Sequence, residues 1–252
     1  MRVALIGSGN VATALGRLSI RNGHEVVHVL SRNISHAEIL AKEFNSSFSD
    51  YTIGFEADAD LFILAVSDSA IAECINKLIL PNSKLVHTAG SISKDVLKSA
   101  SENYGVLYPL QTIRRETEIQ NEIPFLIDAN NENTYEVINS FARSLSSTVE
   151  RADDSERLKL HAAAVVVSNF PNHLYLLAEE FCKKENILFS ILQPLILETS
   201  LRLNFLSPAK SQTGPAFRND SLTITKHLEL LKNHPELHEV YKKLTESIQR
   251  MG

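Results

Sequence analysis

The chain has 252 residues, a formal net charge of -5 and a hydrophobic fraction of 44%. This length accommodates one large domain or two modest ones with a sizeable core. The charges are interspersed and slightly acidic overall, so they exclude a polyanion such as nucleic acid as the expected partner. No apolar stretch reaches the roughly 18 residues needed to span a membrane, and we therefore expect a soluble, cytoplasmic protein.

Two cysteines, Cys74 and Cys182, lie far apart in the chain, and neither belongs to a CxxC pair. Neither has a nearby histidine at metal-ligand spacing. The pattern therefore argues against a disulfide scaffold and against a zinc site. We expect two buried thiols and no metal.

The chain begins with a short apolar run that ends in a glycine pair and continues into a helical pattern, in residues 2–12. This order predicts a strand, a tight turn and a helix. Gly7 permits the sharp turn, Gly9 lets the backbone approach a pyrophosphate, and Ala12 permits close packing of helix on strand. Because the positive end of the helix offers free N–H groups, the stretch predicts dinucleotide binding.

A helix over 11–22 and a strand over 25–30 follow, which completes a βαβ unit and implies a parallel sheet. After the second strand, where an acidic residue would bind the ribose of NAD, the sequence has Ser31-Arg32-Asn33. Arg32 can pair with a 2′-phosphate, and its two neighbours offer further donors. We therefore expect NADP rather than NAD. The alternative is that Arg32 merely solvates the strand end.

Further strands are predicted at 47–48, 60–66, 84–89, 104–112, 123–128 and 147–150, with helices at 35–44 and 133–145. The strand at 60–66 leads to Val66 and Ser67 at the carboxyl edge of the sheet, where open α/β sheets bind ligands. Asp68 is either the N-cap of the next helix or a functional residue. His87 is either an acid–base group or a histidine satisfied inside the sheet.

From about Asp153 onward the pattern is almost entirely helical, with helices predicted at 154–184, 186–205, 221–232 and 235–250. Pro171 and Pro194 should kink or divide the first two. These helices carry more apolar residues than one face needs, which predicts packing on the first domain and on a second subunit. The predicted fold class is α/β, with an N-terminal Rossmann-type parallel sheet in 1–152 and an all-α domain in 153–252.

A polar stripe interrupts the apolar helix near its proline. At 100° per residue, His161, Ser168 and Asn172 fall within about 20° of a common line. Buried polar groups need partners, so we expect the stripe to face a ligand in the cleft over the nicotinamide. His161 is either catalytic or a hydrogen-bonded core histidine. Asn172 alternatively satisfies carbonyls that Pro171 frees.

The most turn-rich segment is 212–220, which contains Thr213-Gly214-Pro215. Arg218 in this loop is suited to hold a carboxylate or phosphate, or to form an ion pair between domains. Asp220 precedes a predicted helix and is expected to be its N-cap.

Residues 7–12, 31–33 and 66–68, together with the helical C-terminal half, resemble the superfamily of pyrroline-5-carboxylate reductase, prephenate dehydrogenase and 6-phosphogluconate dehydrogenase. More closely, residues 108–112, 161–175 and the loop with Arg218 and Asp220 resemble a bacterial group of Rossmann-like proteins whose C-terminal domain has no known function. The resemblance implies an NADP-binding oxidoreductase fold and a dimer with mingled helical domains. One departure is Ser168, which stands where the catalytic lysine of 6-phosphogluconate dehydrogenases would precede Asn172.

We therefore expect an NADP-dependent oxidoreductase that transfers a hydride between the nicotinamide and a small polar, anionic substrate, either a carbonyl, an imine or a hydroxy acid. His161 is the candidate proton donor, with Asn172 and Gln111 orienting the reacting group. Arg218 and Ser168 are the candidate substrate-binding residues. The candidate cofactor-binding residues are Gly7, Ser8, Gly9, Asn10, Val11, Ser31, Arg32, Asn33, Val66 and Ser67. The alternatives are a non-catalytic dinucleotide-binding dimer that senses redox state, and an enzyme that uses a deazaflavin with NADP.

Overall fold

The computed structural model describes residues 1–51, 57–78, 80, 82–116 and 122–251. Its internal contacts divide the chain into two compact units, Met1–Ser168 and Asn169–Gly252. These units reflect compactness alone. The predicted functional division between residues 152 and 153 therefore stays a prediction.

In the described part of the first unit, eight strands form one sheet in the order β3-β2-β1-β4-β5-β6-β7-β8. The strands are β1 (Arg2–Ile6), β2 (Glu25–Leu30), β3 (Ser47–Ser49), β4 (Leu61–Leu64), β5 (Lys84–His87), β6 (Asn103–Pro109), β7 (Phe125–Ala129) and β8 (Val149–Arg151). Every neighbouring pair is parallel except β6 with β7, which is antiparallel. The predicted Rossmann-type parallel sheet is confirmed, with the refinement that β7 and β8 are parallel to each other and run opposite to the other six strands.

The sheet is covered on both faces, which explains why its central strands are nearly continuous apolar runs. The helices of this unit are α1 (Asn10–Arg21), α2 (Ile34–Phe44), α3 (Asp68–Ile75), α4 (Glu132–Leu145) and α5 (Asp154–Ala164). Alternate residues of β1 enter opposite clusters: Val3 and Leu5 lie with side chains of α1, α2 and α4, whereas Ala4 lies with side chains of α3. Because β1, β2, β4, β5 and β6 are parallel, their carboxyl ends lie at one edge of the sheet.

The long helix predicted over 154–184 is interrupted. Residues Val165–Asn169 form a π-helical turn, and a new helix, α6 (Phe170–Lys184), follows it with Pro171 in its first turn. In a π-turn the hydrogen bonds reach one residue further than in an α-helix, so the 100° spacing no longer applies. The prediction that His161, Ser168 and Asn172 share one line of a regular helix is therefore wrong.

The second unit is helical in its described part, as predicted. After α6 it contains α7 (Gln193–Leu201), α8 (Pro208–Ser211), α9 (Ser221–Leu230) and α10 (Pro235–Met251), with short 3₁₀ turns at Phe189–Leu192, Arg202–Asn204 and Leu231–Asn233. Pro194 lies in the first turn of α7, where the missing N–H costs nothing. The predicted helix over 186–205 is thus divided, and Pro194 begins one of its parts.

Large apolar side chains are exposed on the second unit, above all between residues 187 and 206. Phe205 is 84% exposed, Leu188 70% and Ile191 69%, and the described residues of α7 include no buried one. Such a concentration of exposed apolar side chains is unusual for an isolated domain. Within the described ranges, no helix is both long and apolar enough to cross a membrane.

Candidate functional site

A cleft of about 990 Å³ runs along the carboxyl ends of β1, β2 and β4. All ten residues predicted to bind the cofactor line it, namely Gly7, Ser8, Gly9, Asn10, Val11, Ser31, Arg32, Asn33, Val66 and Ser67. They come from three separate stretches of chain, which the parallel strand order brings together at one edge of the sheet. A cleft of this size lies within the range of sites for large organic ligands.

The glycine turn at the start of α1 has two different steric requirements. Gly7 has φ +125°, and a β-carbon on it would lie 2.2 Å from the carbonyl oxygen of Ala65. Gly9, by contrast, has an ordinary extended backbone, and no protein atom lies within 4 Å of the position of its β-carbon. Gly7 is therefore required by the fold, whereas the open face of Gly9 is available to a ligand.

The N-terminus of α1 is suited to an anion. Its N-cap, Gly9, has no side chain, so no capping group occupies the first N–H groups of the helix. The positive end of the helix dipole adds to these donors. A pyrophosphate fits this turn.

The end of the cleft next to β2 is rich in polar groups. The hydroxyl groups of Ser8 and Ser31 are 2.8 Å apart, and Arg32 is exposed. The side-chain oxygen of Asn33 accepts the backbone N–H groups of Ser35 and His36 as the N-cap of α2. Of the three predicted residues, Arg32 is thus the one whose charge faces the open cleft.

Sequence reasoning missed several further residues that line the cleft, among them His36, Tyr51, Glu73, Cys74, Lys77, Ile113 and Arg115. Tyr51 forms a 3.1 Å hydrogen bond with Cys74. Burial raises the pKa of Tyr51, and the nearby charge of Arg32 acts in the opposite direction. Both cysteines are buried and free, as predicted. Residues on α3 could have been suspected only from the strand order.

A second polar group lies at the same edge, where β6 ends. The hydroxyl of Tyr108 forms a 2.7 Å hydrogen bond with Nδ1 of His161, and their rings meet edge to face at 74°. Thr112, four residues after Tyr108, and Ser168, seven residues after His161, also meet, with their hydroxyl oxygens 2.7 Å apart. The two predicted residues thus contact neighbouring parts of the chain, His161 the end of β6 and Ser168 the segment that follows it. Gln111 is exposed, and its side-chain oxygen accepts the N–H of Thr112.

Helix α5 is anchored beneath this pair by a buried arginine. Arg157 is 1% exposed, and its Nη2 donates to the carbonyl oxygen of Ile92 and to Asp154, at 2.5 and 2.8 Å. Asp153 caps the same helix through a reciprocal bond with Glu156. Arg157 precedes His161 by one helical turn, so these contacts fix the position of His161.

His87 is a core histidine. It is fully buried, and its Nδ1 accepts the N–H of Ala89 at 3.1 Å. Burial, followed by the positive charge of Arg157, lowers the pKa of His87 to about 4. Of the two interpretations of His87, the structure favours the buried one.

Asp68 is not an N-cap. Ser67 occupies the N-cap position of α3, and Asp68 is the first helical residue. Its carboxylate accepts the hydroxyl of Ser91 at 2.8 Å. Burial, followed by the charge of Asp68, raises the pKa of Tyr108. Asp68 therefore contributes to the electrostatics of the site.

The remaining predicted residues belong to the second unit. Asn172 is exposed on α6, and Arg218 is exposed in the loop before α9. Asp220 is the N-cap of α9, as predicted, because its carboxylate accepts the N–H of Thr223 at 3.0 Å. The roles assigned to Asn172 and Arg218 stay predictions.

Residues 123–248 match the family described as Domain of unknown function (DUF2520). The chain belongs to this family. Residues 2–90 match a second description, NADP oxidoreductase coenzyme F420-dependent. These matches confirm the predicted resemblance and the predicted cofactor of the family, NADP. No curated protein matches the chain.

Solved structures support the same family assignment. A crystal structure from Bacteroides fragilis, provisionally described as an NADP oxidoreductase, has 37% sequence identity and a TM-score of 0.93, and the match covers 99% of this chain and 98% of that one. Two more distant structures share the fold. Pyrroline-5-carboxylate reductase from Streptococcus pyogenes has 15% identity and a TM-score of 0.63, over 99% and 98% of the chains. A reductive aminase from Aspergillus terreus, in complex with NADPH and ethyl-5-oxohexanoate, has 14% identity and a TM-score of 0.71, over 100% and 94%.

Proposed function

We propose that the protein is an NADP-dependent oxidoreductase that acts on a small polar, anionic substrate with a carbonyl, imine or hydroxy group. The observation that carries this proposal is that all ten predicted cofactor residues line one cleft, with Arg32 at one end. The Tyr108–His161 pair lies at the same edge of the sheet, which supports a reaction next to the bound cofactor.

The cofactor-binding roles follow from the geometry of the cleft. The turn from Gly7 to Val11 would hold the pyrophosphate, because Gly9 presents no side chain and the helix N-terminus attracts negative charge. Arg32 would hold the 2′-phosphate through charge-assisted hydrogen bonds. The bound nicotinamide supplies the hydride chemistry.

The predicted catalytic and substrate-binding residues each have a proposed role in the reaction. We propose that His161 donates the proton to the oxygen or nitrogen of the substrate, and that Gln111 and Asn172 orient that atom. Ser168 and Arg218 would bind the polar and anionic parts of the substrate. The hydrogen bonds of His161 to Tyr108 on β6 and of Ser168 to Thr112 after this strand support these two assignments.

Fluorescence titration with NADPH and NADH tests the cofactor assignment. We expect tighter binding of NADPH, and a loss of about 10–100-fold in NADPH affinity in Arg32→Ala, since a hydrogen bond to a charged group contributes roughly 1.5–3 kcal/mol. NADH affinity should hardly change. Arg21→Ala is the matched control, because Arg21 is an exposed arginine of α1 that does not line the cleft. Equal affinities for both cofactors, unchanged in Arg32→Ala, would contradict the assignment.

Turnover is tested with NADPH and a panel of keto acids, imines and hydroxy acids. We expect hydride transfer with at least one class, and its loss in His161→Ala with NADPH binding retained. His173→Ala is the control, because His173 is an exposed histidine of α6. Turnover in His161→Ala at the level of the wild type would remove this residue from the mechanism. Absence of hydride transfer with every class would favour the non-catalytic redox sensor.

We further propose that the protein is a homodimer that associates through its helical unit. The exposed apolar side chains between residues 187 and 206 support this, because association would remove them from water. In a two-fold symmetric dimer, the same apolar patch of each subunit packs against its counterpart on the other.

A further inference from the structure

Tyr108 contacts one particular nitrogen of His161. Its hydroxyl lies 2.7 Å from Nδ1, whereas Nε2 has no hydrogen-bond partner among the described residues. A neutral imidazole carries its hydrogen on one nitrogen only, and the hydrogen bond at one nitrogen selects which. The contact therefore determines the chemical character of the free nitrogen.

We propose that Tyr108 is a positioning residue that holds His161 in the tautomer with its hydrogen on Nε2. This proposal rests on the proposed role of His161 as the group that faces the substrate. It specifies that, in the neutral ring, Nε2–H is the hydrogen-bond donor to the reacting atom and that Tyr108 acts through the opposite side of the ring. Tyr108 itself does not contact the substrate.

The direction of the Tyr108–His161 bond follows from the partners of the phenol, because among the described residues Nδ1 of His161 is the one acceptor within hydrogen-bond distance of the Tyr108 hydroxyl. Burial, together with the negative charge of Asp68, raises the pKa of Tyr108, and the positive charge of Arg157 opposes this less strongly. The hydroxyl thus keeps its proton well above neutral pH and can donate it. When it donates to Nδ1, that nitrogen must be the unprotonated one, and Nε2 carries the hydrogen.

The pair has little freedom to adopt another arrangement. Tyr108 lies on β6, in the sheet, and Arg157 ties α5 to the carbonyl of Ile92 one turn before His161. The backbone of Gly90 packs against the His161 ring, since a β-carbon at Gly90 would lie only 2.7 Å from Nδ1 of His161. A ring flip that exchanged the two nitrogens would have to displace one of these elements.

A fixed Nε2–H has a consequence for the substrate class. It suits an atom that accepts a hydrogen bond, such as a carbonyl oxygen or the lone pair of an unprotonated imine. A protonated iminium carries an N–H hydrogen and no lone pair, so its N–H would face the Nε2–H of His161 and no hydrogen bond could form. The geometry therefore favours carbonyl and neutral imine substrates over iminium ions within the proposed function.

The tautomer can be measured by NMR on the full chain labelled with ¹⁵N-histidine, at alkaline pH. The protonated and unprotonated nitrogens of a neutral imidazole resonate in separate regions, and His161→Asn identifies the signals of His161. We expect the wild type to show the hydrogen on Nε2. In Tyr108→Phe we expect the two nitrogen signals to move toward each other, as the tautomers mix.

Tyr104→Phe is the matched control. It removes another tyrosine hydroxyl from β6, one that donates to Asp95 at 3.1 Å and does not contact His161. A wild-type spectrum with the hydrogen on Nδ1 would overturn the proposal, and this result needs no variant to fold. An unchanged His161 spectrum in Tyr108→Phe would overturn it as well. NADPH titration of the same samples is independent of the tautomer, so a failure of the proposed function is distinguishable.

Discussion

A β-carbon on Gly90 would lie 2.7 Å from Nδ1 of His161 and 2.9 Å from Cζ of Tyr108. Contacts below 3.0 Å require a neighbour to move, so Gly90→Ala should separate the pair. We expect a stability loss of roughly 1–3 kcal/mol from overpacking, together with the mixed His161 tautomer expected for Tyr108→Phe. Thermal unfolding and histidine NMR check the two effects. A variant with wild-type melting and an unchanged His161 spectrum would contradict the close approach.

The two glycines of the opening turn should respond differently to alanine. Gly7→Ala places a β-carbon against the Ala65 carbonyl at φ +125°, and we expect a loss of roughly 3 kcal/mol of stability. Gly9→Ala meets no protein atom, so stability should hardly change. Its methyl group would instead occupy the cleft and weaken both NADPH and NADH about tenfold or more. Urea denaturation and fluorescence titration of both variants test this. Equal destabilisation by the two variants would argue against it.

His87 should make stability depend on pH in a defined window. Its pKa is about 4 in the folded chain and 6.5 in the unfolded one, so between these values the unfolded state binds more protons. The free energy of unfolding should therefore be highest above pH 6.5. It should fall by roughly 3 kcal/mol in total as the pH is lowered toward 4, because His87 is protonated in the unfolded chain first.

The control for this pH dependence is His87→Asn. The asparagine oxygen can still accept the N–H of Ala89, but the side chain does not titrate. The difference in unfolding free energy between wild type and variant should shrink or reverse as the pH is lowered from 7 to 4. Parallel curves from urea denaturation would show that His87 is not responsible.

The burial of Arg157 predicts that replacing one or the other partner of the Arg157–Asp154 ion pair has a different effect on stability. Asp154→Ala leaves the guanidinium buried without its counter-charge, and we expect a loss of about 3 kcal/mol. Arg157→Met removes the buried charge, while Asp154 remains partly exposed and can be solvated, so the loss should be smaller. Midpoints of urea denaturation compare the two variants. The opposite order would contradict an uncompensated charge as the cause.

The proposed dimer predicts a selective effect of Phe205→Ser. This side chain is 84% exposed in the single chain, so the fold should tolerate the change while association weakens at least about tenfold. Ile39→Ser is the control, because Ile39 is 68% exposed on α2 of the first unit. Sedimentation velocity over a range of protein concentrations measures both. A monomeric wild type, or equal effects of the two variants, would contradict the proposal.

The cofactor cleft was predictable because its determinants are local. A strand, a glycine turn and a helix within residues 2–21 define the anion site, and parallel order then fixes which strand ends share an edge. Arg32 could be found from its position after β2. Tyr51 and Lys77 could not, because no local pattern links them to the cleft.

Other features depend on information that apolar patterns do not contain. A buried strand has the same apolar run in either direction, so the reversed direction of β7 and β8 could not be predicted. The hydrogen bond between Tyr108 and His161 joins residues 53 positions apart, and no periodicity connects a strand end with a distant helix. The π-turn at Val165–Asn169 was missed because a regular spacing of 100° per residue was assumed for the helix before Pro171.

The hydrogen bonds of α5 and the π-turn also determine where related proteins could be recombined. His161 and Ser168 bond to Tyr108 and Thr112, and all four lie within the compact unit that ends at Ser168. In a chimera joined between residues 152 and 153, the two partners of each hydrogen bond would come from different parent proteins. A chimera joined after Ser168 would inherit both bonds intact, so exchange of the helical unit at that position should preserve the histidine site.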